Sequence, residues 1–144
     1  MIRIAPLTVS SASALKDICH LLSQLRRKPS ERSGSLSDLR EVVKNKHAIL
    51  MVAKDDGKIV GMATLYVMPK VGKRVGCVED VVVGKEYRGQ GLGEKLMRSI
   101  IAEARKKKVG SLFLTSASDR AAANVLYKKL GFEIVETNPY KLRF

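Results

Sequence analysis

The sequence predicts a mixed α/β fold of α+β character, in which antiparallel strands lead into a strand–helix–strand crossover. Three observations carry this. Residues 48 to 54 and 58 to 68 are apolar and rich in β-branched side chains, and Asp55-Asp56-Gly57 between them is a hairpin turn signal. Val81-Val82-Val83-Gly84 reads as an apolar strand that ends in a glycine-rich loop, and the loop opens into an amphipathic helix. Strand-like and helix-like segments then alternate to the end of the chain.

Each element has a local reason. Ile2 to Thr8 reads as a first strand, and Leu15, Ile18, Leu21, Leu22 and Leu25 recur at helical spacing, so Ala14 to Leu25 buries one stripe of a helix. From Arg26 to Ser35 the chain is polar, basic and full of turn formers, which predicts a mobile loop. Ser35 or Ser37 then caps a second helix through Lys44. After the hairpin at 48 to 68, Lys70 to Arg74 forms a basic turn, and Val75 to Gly84 completes a three-stranded meander. The next helix keeps Leu92, Leu96, Ile100 and Ala104 on one stripe, widened by Met97 and Ile101, and Arg105-Lys106-Lys107-Lys108 suits its C-terminal dipole. Leu112 to Thr115 is a short buried strand, parallel to the one before it by the usual crossover. Ser118 or Asp119 caps a last helix with Ala122, Leu126 and Leu130 on its apolar side, and Gly131 stops it. Glu133 to Phe144 reads as a final strand.

Composition bounds the function. A chain of 144 residues with 45% hydrophobic content fits one domain over residues 1–144 with a single core. There is no apolar run of about 18 residues, and Ile2-Arg3-Ile4-Ala5 gives way to Pro6 and polar residues, so a cytoplasmic protein without a membrane partner is expected. Cys19 and Cys77 show no metal-ligand spacing with each other or with His20 and His47, so reduced thiols and no metal are expected. The formal net charge of +13 suits a polyanionic ligand. Nucleic acid is disfavoured as that ligand, because Trp is absent and aromatics make up only 5% of the chain. A non-enzymatic basic nucleic-acid-binding domain is kept as an alternative.

The glycine loop is the most informative segment. In Arg88-Gly89-Gln90-Gly91-Leu92-Gly93, alternate glycines leave backbone N–H groups uncovered, and the following helix adds its unpaired donors and positive dipole end. That combination binds phosphate. Gly84 and Gly89 stand at the P-loop interval, but Gln90 and Gly91 replace the Lys and Ser/Thr that would reach a terminal phosphate and Mg²⁺. The dinucleotide fingerprint also fails, since the glycine spacing is one residue too tight.

Arg followed by two residues, Gly, any residue and Gly resembles the acyl-CoA loop of the GNAT superfamily of N-acetyltransferases. Glu79-Asp80-Val81-Val82-Val83 precedes it as a strand, and Asn124-Val125-Leu126-Tyr127 with Gly131-Phe132 follows at the distance that family shows. The likeness is close over residues 75 to 133 and extends to residues 1 to 70 only in the order of elements. It implies a GNAT-like mixed central sheet of about six to seven strands flanked by about four helices, with strand order following chain order. Val81, Val82, Val83, Arg88, Gly89, Gln90, Gly91, Leu92, Gly93, Asn124 and Tyr127 would bind the cofactor, acetyl-CoA, with CoA as product. The oxyanion would take backbone N–H groups near Val81, and Val83 would pair its backbone with the pantetheine arm.

The implied chemistry is direct acetyl transfer to a primary amine. A lysine-like amine has a pKa of about 10.4 and arrives protonated, so a base must take a proton before attack. Glu79 is the candidate, with Asp80 as substitute if a bulge resets the pleat. Tyr127 matches the family's tyrosine acid, and Asn124 lies one turn earlier on the same face. Cys77 offers a two-step alternative through an acetyl-cysteine. The acceptor side of the family is built by the first two helices and their connection, so Arg26, Arg27 and Lys28 would bind substrate and favour a small anionic acceptor. The Glu79-Asp80 stretch is also similar to glucosamine-6-phosphate N-acetyltransferases. A protein N-terminal or lysine acetyltransferase, with a peptide acceptor, is the main alternative. Pairing of the last segment across a homodimer is a further expectation.

Overall fold

A computed structural model describes residues 1–25 and 33–144, so the loop predicted from Arg26 lies outside the described residues as far as Arg32, and with it Arg26, Arg27 and Lys28. Five strands form one sheet: β1 (Ile2–Pro6), β2 (Ala48–Asp55), β3 (Lys58–Lys70), β4 (Lys73–Val83) and β5 (Ser111–Phe113). Four helices accompany them: α1 (Ala12–Leu25), α2 (Leu36–Lys44), α3 (Leu92–Lys106) and α4 (Ala121–Lys129). Strand order follows chain order, with β1 to β4 antiparallel and β5 parallel to β4.

Turn chemistry fixes the register. Asp56 and Gly57 both have positive φ, 47° and 81°, as a two-residue hairpin turn in step with strand twist requires. The basic turn expected from Lys70 to Arg74 narrows to Val71-Gly72, because Lys70 already pairs with Lys73. Counting back from that turn places Tyr66 opposite Cys77 and Thr64 opposite Glu79. Ser35, of the two proposed caps, starts α2: its side chain accepts from Asp38 N–H at 3.1 Å while Asp38 accepts from Ser35 N–H at 2.8 Å.

The sheet is covered on both faces. Ala14, Ile18 and Leu21 of α1 and Leu39 of α2 pack against Leu50, Val52, Met62 and Val82 on one side. On the other, Leu92, Leu96, Met97 and Ile100 of α3 meet Met51, Ala53, Ala63, Leu65 and Val78, and Tyr127 of α4 joins them. Gly76 permits the close approach of β5 and its lead-in, since a Cβ there would lie 2.7 Å from Leu112 Cδ1 and 3.2 Å from Val109 Cγ1.

Two expectations are corrected. Glu133 to Phe144 forms no strand, so the sheet has five strands among the described residues rather than six or seven. The alternation of Tyr140, Leu142 and Phe144 with Lys141 and Arg143 suits a strand, but β5 offers only three paired residues as a template and Pro139 removes a donor. The apolar side chains of this segment stay exposed as a result. At α4 the cap position falls to Arg120, without a side-chain capping bond, rather than to Ser118 or Asp119.

Two irregularities in β4 create the space for a site. Met62 pairs with Val82 and Thr64 with Glu79, so Asp80 and Val81 together oppose Ala63, and Asp80 takes a left-handed φ of 53°. This bulge lets both Val78 and Val81 face α3 although two residues separate them. In addition, β4 pairs with β5 only from Val75 to Cys77. Beyond Cys77, β4 and the segment after β5 separate.

Candidate active site

The separation between β4 and the chain after β5 is a cavity of about 590 Å³. Val78 to Val83 form one wall and Leu114 to Ala117 the other, while the glycine loop, Leu92 to Glu94 at the start of α3, and Leu126 and Tyr127 of α4 close its ends. Backbone groups on this edge of β4 therefore have no neighbouring strand among the described residues, and they face the cavity instead.

The glycine loop is open by construction. Gly89 and Gly91 have φ of 76° and 78°, and a Cβ at either would meet nothing within 4 Å. Gly91 is also the N-cap of α3 and brings no side-chain capping bond, in contrast to the capping box of α2. The first-turn N–H groups of α3 are thus left without a side-chain cap at the cavity, the condition for binding an anion. A Cβ at Gly93 would make only ordinary contacts, 3.6 Å from Leu126 Cδ2 and 3.8 Å from Val83 Cγ2, so packing does not demand glycine there. Arg88 Nε donates to Val83 C=O at 2.9 Å and Tyr87 Oη to Asp55 at 2.7 Å, which ties the loop to β4 and β2. Glu94 brings a negative charge to the same mouth, and hydrogen bonds from Lys129 and Arg98, at 2.8 Å each, hold it below the usual carboxylate range.

Glu79 and Asp80 both line the cavity. The bulge answers the pleat objection to Asp80, because both carboxylates act on one phenol: burial first, then Asp80 and Glu79, push Tyr66 above the usual tyrosine range. Cys77 Sγ donates to Glu79 Oε1 at 3.3 Å, and burial together with that bond pushes the thiol up to about 11. A thiol that stays protonated at neutral pH is a poor nucleophile, which argues against the acetyl-cysteine route.

From the other side, α4 delivers Tyr127. It is 9% exposed, stacks edge-on with Phe132 at 5.9 Å between ring centroids, and burial raises its phenol while Arg120 works in the opposite direction. Arg120 Nη2 donates to Leu25 C=O at 3.0 Å, fastening the start of α4 to the end of α1.

Most of the expected site residues converge on this cavity: Glu79, Asp80, Val81, Val82, Val83, Arg88, Gly89, Gly91, Leu92, Gly93 and Tyr127. Gln90 and Asn124 do not line it. Gln90 turns back to Glu86 C=O, and Asn124 Nδ2 donates to Ala117 C=O at 3.0 Å, holding the loop before α4. Sequence reasoning missed the Leu114–Ala117 wall, Tyr87 and Tyr66. The Val71-Gly72 turn signal, read as a two-residue turn, would have placed Tyr66 beside Cys77 and Glu79.

A split sheet edge, an open glycine loop at a helix start, and carboxylates and a buried tyrosine lining the same cavity are the parts of an acyl-transfer site. The model of the Acetyltransferase (GNAT) family matches residues 15–132, and the chain belongs to that family of N-acetyltransferase enzymes. This removes the non-enzymatic reading. The chain is 32% identical over 135 residues to a glucosamine 6-phosphate N-acetyltransferase of Trypanosoma brucei brucei, covering 90% of each chain. It is 29% identical over 93 residues to a Bacillus subtilis (strain 168) protein provisionally named a ribosomal protein bS18-alanine N-acetyltransferase, covering 65% of this chain and 59% of that one. The crystal structure of a Trypanosoma brucei acetyltransferase superposes with a TM-score of 0.80 at 29% identity, covering all of both chains. Among the described residues no helix is long and apolar enough to cross a membrane.

Proposed function

We propose that this chain transfers the acetyl group of acetyl-CoA directly to the primary amine of a small anionic acceptor. The observation that carries the reading is the convergence of Glu79, the open glycine loop and Tyr127 on one cavity. The residues present suit acetyl-CoA: Arg88 and the N–H groups of Gly89, Gly91 and Gly93 for the diphosphate, and the free edge of β4 at Val81 to Val83 for the amide-bearing arm. When bound, acetyl-CoA supplies an activated thioester. Glu79 receives the acceptor's proton, Val81 N–H is the candidate donor to developing negative charge on oxygen, and Tyr127 holds a proton at its hydroxyl for the departing sulfur.

The anionic acceptor rests on the basic run at Arg26, Arg27 and Lys28 and on the likeness to the trypanosomal amino-sugar-phosphate enzyme. A protein N-terminus is the second reading, favoured by the relative named for ribosomal protein bS18. Calorimetric titration with acetyl-CoA should give saturable binding near one per chain, much tighter than ADP. An amine panel scored by CoA release should then favour an amino sugar phosphate over peptide N-termini, and reversing the charge of Arg26, Arg27 and Lys28 should raise its KM. Binding no tighter than ADP would sink the cofactor assignment, and an unchanged KM would sink the anionic acceptor. The exposed Ile134, Tyr140, Leu142 and Phe144 extend the reading to a homodimer, which a monomeric mass at micromolar concentration would remove.

A further inference from the structure

Cys77, Glu79 and Tyr66 form a polar corner on the face of the sheet that carries α1 and α2, just before the bulge. The pleat places them there. Met62 and Val82 pack toward α1 and α2, while Ala63, Leu65 and Val78 pack toward α3, so Thr64, Tyr66, Cys77 and Glu79 share the first of these faces. Register puts Tyr66 directly across from Cys77 on β3, and Phe113 lies across from Cys77 on β5. Phe113 carries no charge. Among the described residues the charge that acts on the thiol is that of Glu79, and the thiol in turn acts on the Tyr66 phenol across the strand.

Glu79 is exposed and lies beside the bulge of β4, where a long carboxylate side chain has several rotamers open to it. General-base work needs a single orientation, with an oxygen aimed at the incoming ammonium. The Cys77 thiol supplies a constraint. Two residues earlier on the same face, it donates to Glu79 Oε1 at 3.3 Å, which occupies one carboxylate oxygen and leaves Oε2 for the acceptor. Among the described residues Cys77 is the one side chain that donates a hydrogen bond to Glu79.

We propose that Cys77 is a positioning residue: its thiol, used as a hydrogen-bond donor and never as a nucleophile, sets the Glu79 carboxylate for proton transfer from the acceptor amine. This rests on the assignment of Glu79 as base. Burial of the thiol and the carboxylate beside it keep the sulfur protonated through neutral pH, so the donor is present wherever the enzyme works.

Two measurements test the contact and its consequence separately. In a Cys19→Ser background, which leaves Cys77 as the single thiol, the rate of alkylation by iodoacetamide is followed against pH. Half-maximal reactivity is expected near pH 11, and Glu79→Gln, which leaves the burial that is the larger cause but removes the charge that adds to it, should move it part of the way down toward the ordinary cysteine range of about 8.5. Near pH 8 the thiol should alkylate at least about tenfold faster in the Gln variant. Turnover is then compared in the full chain by CoA release. Cys77→Ala should lower kcat about five- to tenfold with KM for acetyl-CoA unchanged, and Cys77→Ser, which keeps a donor in the same place, should recover most of the loss. Alkylation profiles that coincide with and without the Glu79 charge overturn the proposal, as does a Cys77→Ala variant with full kcat or a Ser variant no better than Ala. If Glu79→Gln turns over normally while its thiol profile still shifts, the base assignment fails and takes the proposal with it. A coincident thiol profile with an inactive Glu79→Gln overturns the positioning role alone.

Discussion

Tyr127→Phe is expected to bind acetyl-CoA within about twofold of the parent chain while kcat falls about 10²-fold, the usual loss for a general acid. The change removes one oxygen and little else. The ring keeps its edge-on contact with Phe132 at 5.9 Å and its place in the apolar cluster under α4, so the fold should not register the substitution. The electrostatics give the reaction a sign. Burial raises the Tyr127 phenol, and an acid whose pKa is raised keeps its proton to higher pH. The falling alkaline limb of kcat should therefore lie above the ordinary tyrosine value of about 10, and it should be missing from the Phe variant. Calorimetry with acetyl-CoA and rates by CoA release decide this. A kcat within about threefold of the parent would take Tyr127 out of the mechanism.

How much of this site could be read from the chain depends on where its determinants lie. The glycine loop was legible because its function resides in the backbone: Gly89 and Gly91 need positive φ, and glycine is the residue that adopts it without strain. The meander was legible because turn chemistry is local, and Asp56-Gly57 adopts the conformation that its type implies. Other features depend on tertiary context. Asp80 at φ 53° interrupts β4 in a way that no alternation of Glu79-Asp80-Val81 announces, since the preference of Asp for a left-handed turn is weak beside the β preference of the valines. Asn124 stands one turn before Tyr127, yet its amide is drawn to Ala117 C=O, a partner set by the loop before α4. Residues 140–144 carry the alternation of a strand, but a strand needs a partner as well as a pattern, and β5 ends at Phe113.

The bulge also makes the choice between the two carboxylates testable. Glu79→Gln is expected to reduce kcat about 10²-fold at neutral pH with acetyl-CoA binding retained, whereas Asp80→Asn should stay within about threefold. Both groups line the cavity, so proximity alone does not separate them. Orientation does. Glu79 occupies a regular rung opposite Thr64 and accepts a hydrogen bond from Cys77 at Oε1, which leaves Oε2 outside that bond. Asp80 is the extra residue of the bulge, and its backbone conformation is what turns Val81 toward the α3 face. Asn tolerates the same left-handed conformation, so Asp80→Asn removes the charge and keeps the bulge. Asp80→Val, by contrast, cannot hold φ near 53° without strain of order 1–2 kcal/mol, and it should lose both activity and acetyl-CoA binding as the wall from Val81 to Val83 shifts. An Asp80→Asn variant as impaired as Glu79→Gln would move the base to Asp80 and leave Glu79 to hold the acceptor.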